Sequence, residues 1–223
     1  MATTLSAAEL VELDEVSASF EHRSPGEVIT WAVERFGDDL VFACSFQDFV
    51  LLDLAVKVKP DLEIIFLDTE AHFSETWDYV EAAKARYGLH LTITNPGEDA
   101  EGIPCGSDGC CQVRKVGPLQ RAVADKKAWL TSVKRVDAPT RAATPVVGFD
   151  EIFGLVKINP LATWTDEDVA AYEREHNLPQ HPLVPKGYLS IGCAPTTRPV
   201  APGEDPRAGR WSNSDKVECG LHQ

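Results

Sequence analysis

The chain has 223 residues, enough for one α/β domain with a sizeable core and a short functional tail. Its formal net charge of −14 excludes a protein that grips nucleic acid through a general basic surface. No apolar run reaches the roughly 18 residues that a membrane-spanning helix needs, so no membrane contact is expected.

Residues 1–16 (MATTLSAAELVELDEV) are acidic and lack an apolar centre, so they do not read as a secretory signal. The expectation is a cytoplasmic chain. Residues 6–19 have a partly helical spacing of Leu10, Val11 and Leu13. Ser24-Pro25-Gly26-Glu27 opens a second helix, with proline early and an acid in the first turn, running to about residue 36. The period then changes. Residues 40–45 (LVFACS) form a short apolar strand, 47–58 a helix, and 63–69 (EIIFLDT) a second strand. Residues 74–87 are helical, and 89–94 (LHLTIT) are a third strand. A polar loop covers 97–109, a helix 110–123, and a fourth strand 128–134. A further strand is expected over 153–159, and a helix from Thr165 to about residue 177, with Thr165 or an aspartate as N-cap. From Pro179 onward proline and glycine are dense, and little regular structure is expected.

Strands alternating with helices at this spacing imply βαβ units and a parallel sheet with helices on both faces. Ligands of such sheets sit beyond the carboxyl ends of the strands. Residues 45–48, 67–70 and 95–96 occupy those ends. The division expected is a binding domain over 1–200 and a catalytic tail over 201–223, irregular and mobile.

Charge is unevenly spread. Residues 1–108 carry −16 and residues 109–223 carry +2. An anion site therefore belongs mostly to the second half, where Arg114, Lys115, Lys134, Arg135, Arg141, Arg207 and Arg210 stand. Taken singly, each is an ordinary solvated group.

The six cysteines are Cys44, Cys105, Cys110, Cys111, Cys193 and Cys219. In a reducing compartment they read as metal, redox or catalytic candidates rather than as disulfides. Cys110-Cys111 at a helix opening and Cys193 before a proline turn could supply three thiolates to zinc or an iron–sulfur centre. The plain alternative is that they are small buried side chains. Cys219, near the terminus and beside Gly220, suits a thiol that reaches into a site and swings out again, or is an incidental exposed cysteine.

On particular motifs the chain resembles the assimilatory adenylylsulfate/phosphoadenylylsulfate reductase family. These are CSFQD (44–48), LDTEAHFSETW (67–77), CCQVRK (110–115), PTRA (139–142), NPLATWTDEDV (159–169), IGCAP (191–195), GEDPRAGRW (203–211) and ECGLH (218–222). The resemblance implies an adenine nucleotide alpha hydrolase-like, Rossmann-like fold. It implies reduction of adenylylsulfate to sulfite and AMP, in sulfate assimilation and cysteine biosynthesis, with electrons from thioredoxin. Cys219 would be the nucleophile and would carry an S-sulfonate. Ser45, Gln47, Asp48, Leu67, Asp68 and Thr69 would hold the nucleotide. Lys115 would stand between cluster and sulfate, and Arg207 and Arg210, with Lys134 or Arg135, would clamp the phosphosulfate. Cys110, Cys111 and Cys193 would bind a 4Fe–4S cluster.

Three departures from the family pattern stand out. Thr196 occupies the place of the fourth cluster cysteine, and an oxygen is a poor substitute for a thiolate on iron. A cluster with three thiolates, substitution by Cys105, or loss of the cluster are all open. Glu70 stands where a glycine is common after LDT, which could crowd the nucleotide or change a turn. Trp211 is followed by Ser212-Asn213 rather than aromatics, so the tail could close less tightly. The alternatives to adenylylsulfate reduction are phosphoadenylylsulfate reduction and a non-catalytic iron–sulfur or nucleotide-binding sensor. An enzyme that adenylates its substrate with ATP would need a glycine-rich loop that 44–48 lacks. The oligomeric state is open between a monomer and a homo-oligomer.

Overall fold

The structure is a computed structural model and describes residues 5–212, 216 and 218–221. Asn213 and His222, two of the positions singled out above, lie outside the described residues, as do residues 1–4 of the N-terminal segment.

Six strands form one sheet: β1 (Leu40–Ala43), β2 (Glu63–Leu67), β3 (His90–Thr94), β4 (Ala128–Leu130), β5 (Val147–Asp150) and β6 (Leu155–Ile158). Their spatial order is β3-β2-β1-β4-β6-β5. All neighbours run parallel except β5, which pairs antiparallel with β6 at the edge. The helices are α1 (Ala7–Ser19), α2 (Pro25–Phe36), α3 (Val50–Val58), α4 (Ser74–Tyr87), α5 (Gly117–Ala122) and α6 (Asp166–Glu175). No helix is long and apolar enough to cross a membrane.

The strand period of two divides the core. Leu40 and Phe42 of β1, with Ile64, Phe66, Leu130 and Ile158, face α2, α3 and α4. Val41, Ile65, Trp129 and Leu155 point the other way, onto Leu119 of α5. Burial of each such aliphatic side chain stabilises the fold by about 1.5–3 kcal/mol. Helices thus cover both faces, as the alternation of elements requires.

Several boundaries differ from the sequence reading: the strands expected over 40–45, 63–69 and 128–134 end at Ala43, Leu67 and Leu130. Strand β5 was not expected. The helix expected from 47 begins at Val50, because Phe46 adopts a left-handed φ of 52° and turns its ring edge-on to Phe66, 5.3 Å away. The strand expected from 153 begins at Leu155, because Asp150 Oδ1 accepts from the N–H groups of Ile152 and Phe153 and holds a turn there. The helix expected over 110–123 carries a wider π-turn over Gln112–Val116, closed by Gly117 N–H onto Gln112 O.

Candidate functional site

After β3 the chain returns to the middle of the sheet, so β1 and β4 are neighbours whose connections leave in opposite directions. That switch point leaves a crevice beyond their carboxyl ends. A cavity of about 560 Å³ opens there, a size ordinary for a small-molecule site. It is lined by Ser45, Gln47 and Asp48 after β1, Leu67 and Thr69 at the end of β2, Lys134 after β4, Lys115, Arg207, Arg210 and Cys219. Ten of the twelve catalytic and substrate-binding residues expected from sequence therefore share one cavity.

Two do not. Arg135 turns away: its guanidinium donates to both carboxylate oxygens of Glu21 at 2.7 Å, and its Nε donates to Thr144 O. Adjacent residues in extended backbone point to opposite sides, so only one of Lys134 and Arg135 can face the crevice. Asp68 instead builds the turn after β2, its Oδ1 accepting from Glu70 N–H at 2.8 Å. Glu70 sits at φ 57°, the conformation that glycine adopts freely. Its carboxylate pairs outward with Arg114 at 3.0 Å and does not line the cavity, so it changes the turn's strain without crowding the site.

The first loop is fixed from within. Asp48 Oδ1 accepts from Val50 N–H and so starts α3, while Gln47 Oε1 accepts from Ile191 N–H at 3.0 Å. Burial pushes the Asp48 carboxyl above its ordinary value. Ser45 is left exposed to the cavity.

The cations fall into two groups. Lys134 pairs with Asp137 at 2.7 Å, Arg141 with Asp137 and Glu218, and Arg207 with Glu218 at 3.3 Å. Among the described residues, Lys115 and Arg210 make no ion pair. Arg210 Nη1 donates to Ser190 Oγ and Ile191 O, while its buried Nε has no hydrogen-bond partner. Gly192 permits this position: a Cβ there would lie 2.4 Å from Nη2 and 2.7 Å from Nε. The π-turn separates Arg114, which donates to Thr69 O and Ile103 O, from Lys115, which faces the cavity. Burial works against the Lys115 ammonium, but the sulfurs of Cys219 and Cys193 raise its pKa above the ordinary value. Cys219, Lys115 and Arg210 interact electrostatically with one another.

The described residues of the tail form no helix or strand, as expected, and they are docked. Cys219 is buried, Leu221 packs against the α5-side core, and Lys157 Nζ donates to Leu221 O. Trp211 is buried beside Arg210, 4.6 Å from ring to guanidinium, and its N–H donates to Thr196 O. The expectation of looser closure at Trp211 is not met.

The remaining cysteines gather beside the cavity. Cys110 Sγ and Cys111 Sγ are 4.0 Å apart, and Lys216 Nζ lies 3.0 Å from Cys111 Sγ. Cys193 Sγ contacts Thr69 Oγ1 at 3.5 Å, and the Cys105 thiol lies nearby. That neighbouring thiol, with Lys115, holds the Cys193 thiol below its ordinary value. Among the described residues no such group is placed to hold a single metal ion. A single tetrahedral ion draws its sulfurs to about 2.3 Å. A four-iron cluster carries its thiolates on separate corners, and four thiols supplied with N–H and ammonium donors suit it in number and kind. Cys44 stands apart in the main core.

Sequence reasoning did not place Arg141, Asp137 and Glu218 together, nor His72, Ser132 and His181 at the cavity. Ser132 follows β4 and was open to discovery from the strand-end rule. His181 comes from a stretch without periodicity and carried no signal.

Residues 39–199 match the family described as phosphoadenosine phosphosulfate reductase domain. An adenosine 5'-phosphosulfate reductase of Rhodococcus opacus is 42% identical, covering 100% of this chain and 99% of its own length. A crystal structure of phosphoadenylyl-sulfate reductase from Candida auris superposes with a TM-score of 0.76 at 30% identity, over 89% of this chain and all of that one. The FMN adenylyltransferase of Candida glabrata, 14% identical, shares the fold with a TM-score of 0.60, over 88% of this chain and 76% of that one.

Proposed function

The chain belongs to the phosphoadenosine phosphosulfate reductase family, and from that membership we propose the course by which it reduces adenylylsulfate in sulfate assimilation. The observation that carries the proposal is the convergence of Cys219 with Lys115 and Arg210, two cations that make no ion pair among the described residues, in a cavity at the switch point.

The nucleotide lies over the ends of β1, β2 and β4, against Ser45, Gln47, Asp48, Leu67 and Thr69, with the phosphosulfate toward Lys115, Arg207 and Arg210. The Cys219 thiolate attacks the sulfate sulfur, the S–O bond to phosphate breaks, and AMP leaves with the electron pair. Cys219 is left as an S-sulfonate. Lys115 and Arg210 stabilise charge that builds on the bridging and sulfate oxygens, and preorganised donors of this kind contribute on the order of 3 kcal/mol each. The tail then swings out, and a thioredoxin thiolate attacks the Cys219 sulfur and releases sulfite. The second thioredoxin thiol resolves the mixed disulfide and restores the Cys219 thiol. A covalent intermediate splits one hard step into two, and exchange with a protein dithiol needs an accessible sulfur.

Cys110, Cys111 and Cys193 would hold a 4Fe–4S cluster. When bound, such a cluster supplies an electrostatic centre next to Lys115. Thr69 and Lys115 are the residues that separate its place from the cavity.

Charge balance favours adenylylsulfate over its 3′-phosphorylated form. Lys134, Arg141 and Arg207 are balanced by Asp137, Asp166 and Glu218, which leaves Lys115 and Arg210, among the described residues lining the cavity, for two anionic groups and no further unbalanced cation for a third. Turnover of the purified protein with both nucleotides tests this reading. Faster sulfite release from the 3′-phosphorylated substrate would overturn it.

A further inference from the structure

Thr196 stands where a fourth cluster thiolate is needed, and the structure directs its side chain elsewhere. Its hydroxyl donates to Cys193 O at 3.3 Å. Its methyl lies against Gly106, 2.9 Å from where a Cβ on that glycine would be. A hydroxyl oxygen is also a poor partner for iron in a thiolate set.

The loop that packs on Thr196 brings a sulfur of its own. Gly102, Gly106 and Gly109 take φ values of 74°, 98° and 75°, which β-carbon residues rarely adopt. The chain reverses tightly there, Gly106 N–H donates to Cys110 Sγ at 3.3 Å, and Cys105 is delivered against Cys193. Gly106, the next residue, touches Cys110 on one side and Thr196 on the other, so the loop carries Cys105 to the gap between the two halves of the set. Of the other two cysteines, Cys44 is buried in the main core with Phe46 N–H on its sulfur, and Cys219 lines the cavity.

We propose that Cys105 supplies the fourth thiolate of the iron–sulfur cluster, in the role that Thr196 cannot fill. The proposal rests on the cluster reading given above. As a ligand Cys105 would be a thiolate, its proton released to water, and ligation would change no oxidation state.

The test compares iron and acid-labile sulfide content, visible absorption and the electron paramagnetic resonance of the full chain, purified without oxygen. The wild type should hold about four irons per chain. Cys105→Ser should drop to about three or fewer, with a changed resonance. Adding Thr196→Cys to Cys105→Ser should restore the wild-type content, because it returns a thiol to the same corner. Full iron and an unchanged spectrum in Cys105→Ser would overturn the assignment while leaving the cluster intact. Depletion that Thr196→Cys fails to rescue would also overturn it. A wild type without iron would remove the cluster itself, and with it this ligand.

Discussion

Glu218 and Arg141 face each other through two bonds, Arg141 Nε to Oε1 at 2.8 Å and Nη2 to Oε2 at 2.9 Å, and both side chains are buried. Glu218 immediately precedes Cys219, so the pair fixes the position of the sulfur proposed as the nucleophile. A buried pair broken outright costs about 3–5 kcal/mol, and the loss here stays below that because Arg141 keeps Asp137 at 3.0 Å. The tail can undock instead of unfolding the domain. Glu218→Ala is therefore expected to leave the melting temperature within a few degrees of wild type and to slow formation of the S-sulfonate. Single-turnover mixing with adenylylsulfate should show a drop on the order of a hundredfold. An unchanged rate would dissociate the pair from the chemistry.

Gly192→Ala tests the anion clamp without touching a charge. The added methyl would meet Arg210 Nη2, Cζ and Nε at 2.4, 2.5 and 2.7 Å, and the guanidinium cannot move without losing Ser190 and Ile191 O. A charge-assisted hydrogen bond is worth about 1.5–3 kcal/mol, so affinity for adenylylsulfate should fall roughly ten- to hundredfold. Adenosine, which lacks the phosphosulfate, should bind as before. Equal losses for both ligands, measured by calorimetry, would place Arg210 elsewhere.

His181 makes the fold acid-sensitive. Its Nδ1 accepts from Leu183 N–H at 3.2 Å, which leaves Nε2–H to face Thr76 Oγ1 at 3.2 Å, so the ring is held neutral. Burial depresses its pKa to about 4, with Glu75 opposing the shift weakly. The unfolded chain binds the proton first as pH falls. This contribution to stability is complete above about pH 6.5, declines below it, and is exhausted below about 4; its full size is roughly 3 kcal/mol. Denaturant midpoints across that range should fall in wild type and fall less in His181→Gln. Parallel curves would contradict the assignment.

Much of this was legible beforehand, for physical reasons that differ by element. β1 and β2 are short apolar runs whose central residues are buried on both faces, as an interior strand of a parallel sheet requires. β5 was missed because VGFD is four residues long, contains Gly148 and lies at an edge, where burial demands little. The crevice followed from strand ends alone, which is why Ser45, Gln47 and Thr69 were found. Arg135 was misplaced because sequence does not say which of two neighbouring cations turns inward; Glu21, distant in sequence, settles it. The Arg141–Glu218 pair spans most of the second half of the chain, and no local pattern encodes it.

Transfer of the sulfonate from adenylylsulfate to Cys219 is read by intact mass spectrometry of the chain, mixed with adenylylsulfate without any reductant. The chain should gain the mass of one SO₃ group on the peptide holding Cys219, and a reduced dithiol should remove it. Cys219→Ser should bind the nucleotide and gain nothing. An unmodified wild-type chain that still releases sulfite once reductant is added, or an SO₃ group retained in Cys219→Ser, would contradict it.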